Sequence, residues 1–227
     1  MSAIKCILTD IEGTTSSVSF VYDVLFPYFR THIQEAKDLS PNQINPIYTA
    51  TKEQAAKEGI TINSIDECLD LLKTWSIEDR KFAPLKTLQG YIWQKGYESG
   101  KIKGHVYDDV VDALDEWFEE GLTLAVYSSG SVQAQKLIFG YSEHGDLTPY
   151  FSRYFDTKMG GKKEARSYEN IAQELNLEPY EILFLSDVPE ELRAAREAGM
   201  EVVQLVREGT KPSSHFDNVD DFSQITY

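Results

Sequence analysis

Residues 4–15 read Ile4-Lys5-Cys6-Ile7-Leu8-Thr9-Asp10-Ile11-Glu12-Gly13-Thr14-Thr15. A short apolar run ends abruptly in an acid, followed by a second acid, a glycine and two threonines. A run of this length, rich in β-branched residues and stopped by a turn-forming glycine, predicts a strand covered on both faces rather than a helix. Open parallel α/β sheets bind ligands outside the carboxyl ends of their strands, so Asp10 and Glu12 are expected where chemistry is done. The plainer reading makes Asp10 a strand-end turn residue and Glu12 a solvated acid. This stretch alone does not separate the two.

The pattern recurs further along the chain. Residues 108–120 form an amphipathic segment that stops at Gly121, a good residue to end a helix. Leu122–Tyr127 is a buried strand ending in Ser128-Ser129-Gly130-Ser131, ahead of a helical segment. Hydroxyls and free backbone N–H groups at such a junction make an anion-binding corner, although the same residues also suit a plain helix cap. A third strand is expected at Arg153–Phe155. It is followed by Lys158, Gly160, Gly161, Lys162 and Lys163, then a helix from Glu164. Spacing and charge do not distinguish Lys162 from Lys163. A fourth strand, residues 181–186, delivers Asp187 to its end, and a helix with Pro189 near its start runs to Gly199. The last strand is residues 201–207, and a polar tail follows. About five buried strands alternating with helices predict an α/β fold with a parallel, Rossmann-like sheet and right-handed crossovers.

Residues 18–104 break this alternation. They show helical periodicity and no convincing strand, with helices expected at Val18–Ala36, Pro46–Glu58, Ser64–Trp75 and Pro84–Ser99. Ser64 and Glu67 fit a capping box. The expected organisation is a core of residues 1–17 and 105–227 carrying an all-helical insertion, residues 18–104.

The 227 residues suffice for one sizeable α/β domain with a smaller insertion. Against 22 basic side chains stand 37 acidic ones, a net charge of -15 that repels nucleic acid and anionic membranes. Binding a phosphorylated molecule then depends on a local cluster of positive charge. No apolar stretch approaches the ~20 residues of a membrane helix and no signal-type segment is evident, so a cytoplasmic location is expected. Two cysteines, Cys6 and Cys68, are too few for a disulfide framework. The four histidines are scattered without ligand spacing.

Together these stretches resemble the motifs of the haloacid dehalogenase superfamily, in order and over nearly the whole chain. Asp10 to Thr15 resembles the first motif, D-x-D-x-T, whose first Asp is the nucleophile in phosphoryl transfer. Ser128-Ser129 resembles the second motif and Lys162 the third. Ser186-Asp187-Val188-Pro189-Glu190-Glu191 resembles the fourth, with Glu191 in the place of its second acid. Glu12 departs from the usual Asp, and with Gly-Thr-Thr it resembles the enolase-phosphatase (acireductone synthase) branch of methionine salvage.

The resemblance implies a haloacid dehalogenase-like core with a helical cap that closes over the active site. It implies Asp10 as nucleophile and Glu12 as acid and base, with Lys162, Ser128 and the N–H groups around Ile11 and Ser129 holding the phosphate. Mg²⁺, one per subunit, would be held by Asp10, the backbone carbonyl of Glu12 and Asp187. The implied reaction takes 2,3-diketo-5-methylthiopentyl 1-phosphate to acireductone, 1,2-dihydroxy-3-keto-5-methylthiopentene, plus phosphate. Glu12 would be the enolisation base, with Ser129 and the cation at the enolate oxygen. The expected partner is thus a small phosphorylated diketone and neither nucleic acid nor membrane, and a monomer is expected. A generic magnesium-dependent phosphatase of the superfamily remains the alternative. A non-catalytic phosphoprotein-binding module is less favoured, and no G-x-G-x-x-G follows the first strand to support a dinucleotide-binding oxidoreductase.

Overall fold

A computed structural model describes residues 4–227. The chain divides into two compact units, one formed by the residues up to Phe20 together with Lys103–Tyr227, the other by Val21–Ile102.

The first unit is a parallel α/β sheet. Its strands are β1 (Cys6–Thr9), β2 (Thr123–Tyr127), β3 (Arg153–Phe155), β4 (Ile182–Ser186), β5 (Glu201–Leu205) and β6 (Asn218–Val219). They lie in the order β3-β2-β1-β4-β5-β6, and every neighbouring pair is parallel. Successive strands run outward from β1 on one side and then, from β4, outward on the other. The strand order therefore reverses between β1 and β4, which is where a sheet of this kind opens a ligand crevice.

Burial explains why the strands read as continuous apolar runs. Cys6 and Leu8 of β1, Ala125 and Tyr127 of β2, and Ile182 and Phe184 of β4 form one core with Tyr168, Ile171, Ala172, Leu192 and Ala195. Those last residues come from α7 (Ala165–Leu175) and α8 (Pro189–Glu197). The alternate residues Ile7, Leu124, Val126, Leu183 and Leu185 are buried as well. Both faces are thus covered, and each such side chain contributes on the order of 2 kcal/mol. The remaining core helices are α5 (Asp108–Glu119) and α6 (Val132–Gly140).

Two expectations about this unit change. The sheet has a sixth strand, β6, pairing Gln204 with Asn218 and Leu205 with Val219. Its two residues sit in a polar tail and carry no apolar run to announce them. The fifth strand stops at Leu205 rather than Arg207, whose side chain is turned to another use described below.

The second unit is helical, with α1 (Phe26–His32), α2 (Pro41–Lys57), α3 (Ile65–Ile77) and α4 (Ala83–Glu98). Where one helix was expected over Val18–Ala36, a π-helical turn at Phe20–Leu25, then α1, then a 3₁₀ segment at Ile33–Asp38 are found. Pro27 lacks the N–H that would continue a single ladder, and the pitch changes beside it. The indole N–H of Trp93 donates to the Leu25 carbonyl at 2.8 Å, at this change of pitch. Helix α2 begins at Pro41, not Pro46, because Ser40 caps it in a box with Gln43 and Pro41 takes the favoured first position. Pro46 lies inside the helix. At α3 the Ser64 hydroxyl accepts the Glu67 N–H at 3.2 Å, while the Glu67 carboxylate accepts the N–H of Asn63 at 2.7 Å rather than that of Ser64.

Candidate active site

The motif after β1 is a tight turn. Asp10 continues the β1–β4 ladder by one residue, its N–H donating to the Leu185 carbonyl at 2.9 Å. The chain then folds on itself. The N–H groups of Thr14, Thr15 and Ser16 all donate to the Ile11 carbonyl, and that of Gly13 to the Ser16 carbonyl. Gly13 has φ +76, and a Cβ there would lie 2.5 Å from Oδ2 of Asp187. Only glycine meets both demands. The hydroxyls of Thr9 and Thr15 donate to the Asp10 carbonyl at 2.9 and 3.1 Å. Each residue of the G-T-T sequence thereby holds the turn that presents Asp10 and Glu12. Glu12 is exposed, and Asp10 is buried at 4% exposure.

Lys162 is the cation that meets Asp10. Its Nζ lies 2.7 Å from Asp10 Oδ1 and 2.6 Å from Glu191 Oε2. The Ile11 N–H donates to the same Asp10 Oδ1 at 2.7 Å. Lys158 and Lys163, the other candidates in that loop, are exposed. The loop is pinned from several sides. The Tyr168 hydroxyl donates to the Lys162 carbonyl at 2.7 Å, Ser167 to Gly161 at 2.7 Å and Tyr127 to Gly160 at 3.0 Å. Gly160, at φ +130, leaves no room for a side chain beside Ser167. Burial works against the lysine's charge, but Asp10 and Glu191 outweigh it and raise its pKa above the ordinary value. Glu191 is raised too, by burial first and then by Asp10. Its carboxylate also accepts from Ser186 at 3.1 Å. Glu191 therefore orients the lysine, a role that its sequence position as a second acid did not disclose.

Ser128 follows β2 and is buried, while Ser129 is exposed. Ser131 is the cap of α6, its hydroxyl accepting the Ala134 N–H at 3.2 Å. Helix capping, the plainer reading of this cluster, thus falls to Ser131. Ser128 Oγ accepts the Gly130 N–H at 3.1 Å. Gln135 holds the corner from behind, donating to the carbonyls of Gly130 and Phe155 at 2.9 and 2.8 Å.

Asp187 stands at the end of β4 opposite this turn. Its N–H donates to the Thr14 hydroxyl at 3.1 Å and its carbonyl accepts from Gln204 at 3.1 Å. Its Oδ1 is buried without a hydrogen-bond partner. Burial and then the charge of Asp10 push its carboxyl up to about 6. A buried carboxylate with an unmatched oxygen, packed on the bare backbone of Gly13 beside a second acid, suits a hard divalent cation. Among the described residues no three acidic, histidine or cysteine side chains group around one point. Two carboxylates, a backbone carbonyl and retained waters would still complete an oxygen set of the kind Mg²⁺ prefers.

The structure thus joins Asp10, Lys162 and Glu191 by direct contacts, and links Asp187 to the same turn through Gly13 and Thr14. Ser128, Ser129 and Glu12 occupy the ends of β2 and β1 at the same carboxyl edge.

The haloacid dehalogenase-like hydrolase family matches residues 4–199 of the chain. A protein of Picosynechococcus sp. named Enolase-phosphatase E1 is 52% identical over 98% of each chain. One of the same name from Marinobacter nauticus is 51% identical, over 98% of this chain and 96% of its own. Among solved structures, the UTR4 protein of Saccharomyces cerevisiae has a TM-score of 0.81 at 33% identity, covering 98% of this chain and all of that one. CbbY from Rhodobacter sphaeroides, at 17% identity and a TM-score of 0.62, shares the fold. No helix among the described residues is long and apolar enough to cross a membrane. Motif order, sheet topology and these likenesses agree, and the chain belongs to the haloacid dehalogenase-like hydrolases and, within them, to the enolase-phosphatase E1 family.

Proposed function

We propose that this enzyme converts 2,3-diketo-5-methylthiopentyl 1-phosphate to acireductone and phosphate, in a step of methionine salvage, and that it works as a cytoplasmic monomer. The observation that carries the phosphatase half is the buried Lys162 ammonium bridging Asp10 and Glu191 at 2.7 and 2.6 Å. A nucleophilic carboxylate must approach an anionic phosphoryl group, and a fixed positive charge between them reduces their repulsion.

Glu12 begins the reaction by removing the proton from the carbon next to a carbonyl, the electron pair moving to the carbonyl oxygen. The Ser129 hydroxyl hydrogen-bonds that oxygen. Asp10 then attacks phosphorus. Its Oδ1 is held by Lys162 and by the Ile11 N–H, which leaves Oδ2 for the new bond to phosphorus. As the bond from phosphorus to the substrate oxygen breaks, Glu12 returns a proton to that oxygen. An aspartyl-phosphate on Asp10 splits one hard hydrolysis into two easier steps. Water, deprotonated by Glu12, attacks the phosphorus and frees Asp10, and Glu12 passes that proton to the enolate oxygen, which restores its carboxylate and completes the enediol. Lys162, Ser128 and the N–H groups around Ser129 hold the phosphoryl oxygens throughout, the Ile11 N–H being taken by Asp10 Oδ1. Mg²⁺ fits the carboxylates of Asp10 and Asp187 with the Glu12 carbonyl, and when bound it would supply Lewis-acid stabilisation of phosphoryl charge.

A panel of phosphate esters tests the assignment. The diketo phosphate is expected to show the highest kcat/KM, well above simple sugar and alkyl phosphates. Equal turnover of unrelated esters would leave a phosphatase of this superfamily and remove the pathway assignment.

A further inference from the structure

Arg207 follows β5 and reaches the turn after β1. Its side chain is 9% exposed, and its Nη2 lies 2.6 Å from Asp109 Oδ2. Nη1 donates to the Asp220 carbonyl at 3.0 Å, and Nε donates to the Thr14 carbonyl at 3.3 Å. The guanidinium lies 4.2 Å from the Tyr107 ring centre and 5.5 Å from that of Phe222. Asp109 Oδ2 also accepts the Phe222 N–H at 2.8 Å.

Thr14 is fully buried and is held at both ends. Its backbone carbonyl accepts from Arg207, and its hydroxyl accepts the Asp187 N–H at 3.1 Å. Thr14 also lies one residue from Gly13, on whose bare Cα the Asp187 carboxylate packs. A displacement of Thr14 is therefore a displacement of Asp187 relative to Glu12. We infer that Arg207 is a positioning residue. Acting through Thr14, it sets the spacing between the Asp187 carboxylate and the Glu12 backbone carbonyl, and so the affinity of the site for a divalent cation. This rests on the reading of those two groups as cation ligands given above.

The rival account is that Arg207 merely docks the tail through Asp220 and Phe222. The fork geometry separates the two. Guanidinium serves Thr14, Asp220 and Asp109 at once from fixed directions, whereas a lysine ammonium at the same place keeps the Asp109 pairing and gives up the Thr14 carbonyl. Asp109→Asn does the reverse: it removes the charge of the tail-docking pair and leaves the Thr14 contact.

The experiment is a calorimetric titration of the metal-free full-length protein with Mg²⁺ and with Mn²⁺, on wild type, Arg207→Lys, Asp109→Asn and Thr14→Val. Circular dichroism verifies folding, and amide exchange at Asp187 is followed alongside. Arg207→Lys and Thr14→Val are each expected to weaken cation binding by about tenfold, the usual size of a lost orienting contact. They are also expected to speed exchange at Asp187, while Asp109→Asn binds as wild type does. Wild-type affinity in Arg207→Lys overturns the inference, as does an equal loss in Asp109→Asn. If Arg207→Lys does not fold, Arg207→Gln, which also gives up the three-way fork, decides by the same measure, and Thr14→Val tests the second link, from Thr14 to Asp187. A wild-type protein that binds neither cation overturns the functional reading itself, an outcome distinct from unchanged binding in the variants.

Discussion

The Lys162 ammonium meets the Asp10 carboxylate at 2.7 Å, and both side chains are 6% exposed. In a site this dry an ion pair is weak evidence for stability, yet breaking it leaves an uncompensated charge and is costly. Lys162→Met leaves Asp10 and Glu191 facing each other without their cation. It is expected to lower unfolding free energy by about 3–5 kcal/mol and to remove phosphatase activity. Urea titration of Lys162→Met, Asp10→Asn and the double variant checks this. The two losses should couple by at least about 1 kcal/mol, and strict additivity would show that the charges act independently.

Glu191→Gln keeps an acceptor for Ser186 and removes one of the two anions that raise the Lys162 pKa. The lysine is then expected to lose its proton at lower pH. The alkaline limb of the kcat profile should move down in pH relative to wild type, with KM little changed. An unmoved limb would mean that Lys162 does not need Glu191 to stay charged.

The Asp187 carboxyl, pushed up to about 6, sets an acid limit on cation binding. A metal ligand must be deprotonated, so affinity for Mg²⁺ should fall as pH drops below about 6, approaching tenfold per unit. Fold stability in the metal-free protein has the opposite sign. A carboxyl whose folded pKa lies above its unfolded value of 3.8 favours the folded state when protonated. That contribution is present below pH 3.8 and is lost as pH rises through about 6. Neutralising this one group by Asp187→Asn should flatten both dependences, as read by calorimetry and by chemical unfolding.

Gly13→Ala places a methyl group 2.5 Å from Oδ2 of Asp187, at φ +76. The left-handed conformation alone costs a side chain about 1–2 kcal/mol, and the carboxylate must move as well. Loss of cation affinity together with reduced stability is expected. A variant that binds Mg²⁺ normally would show that Asp187 has room to shift.

Much of this architecture is readable along the chain because the sheet is parallel and covered on both faces. Its strands are apolar runs, and the polar residues that end them line the candidate site. Asp10, Ser128 and Asp187 could each be placed that way. Spacing and charge do not tell Lys162 from Lys163; the family resemblance selects Lys162, and the fold buries it and exposes the other. Glu191 reads as a companion acid to Asp187, and its contact with Lys162 depends on how α8 packs rather than on spacing. Thr14, Gln204 and Arg207 act through contacts between distant segments, for which local periodicity gives no signal. In the helical unit the differences are of boundary and, around Pro27, of helix pitch. Pro41 and Pro46 both look like helix starts, and Ser40 with Gln43 decided for the first.

The proposed reaction has one site enolise and then dephosphorylate, with Glu12 as the base. The measurement that tests it most directly is an anaerobic time course of wild type and Glu12→Gln with the diketo phosphate and Mg²⁺, recording enediol absorbance and free phosphate together. In wild type the enol is expected ahead of phosphate, and Glu12→Gln is expected to lose both signals. Full enol formation in Glu12→Gln, with only phosphate release lost, would contradict it and place the base elsewhere.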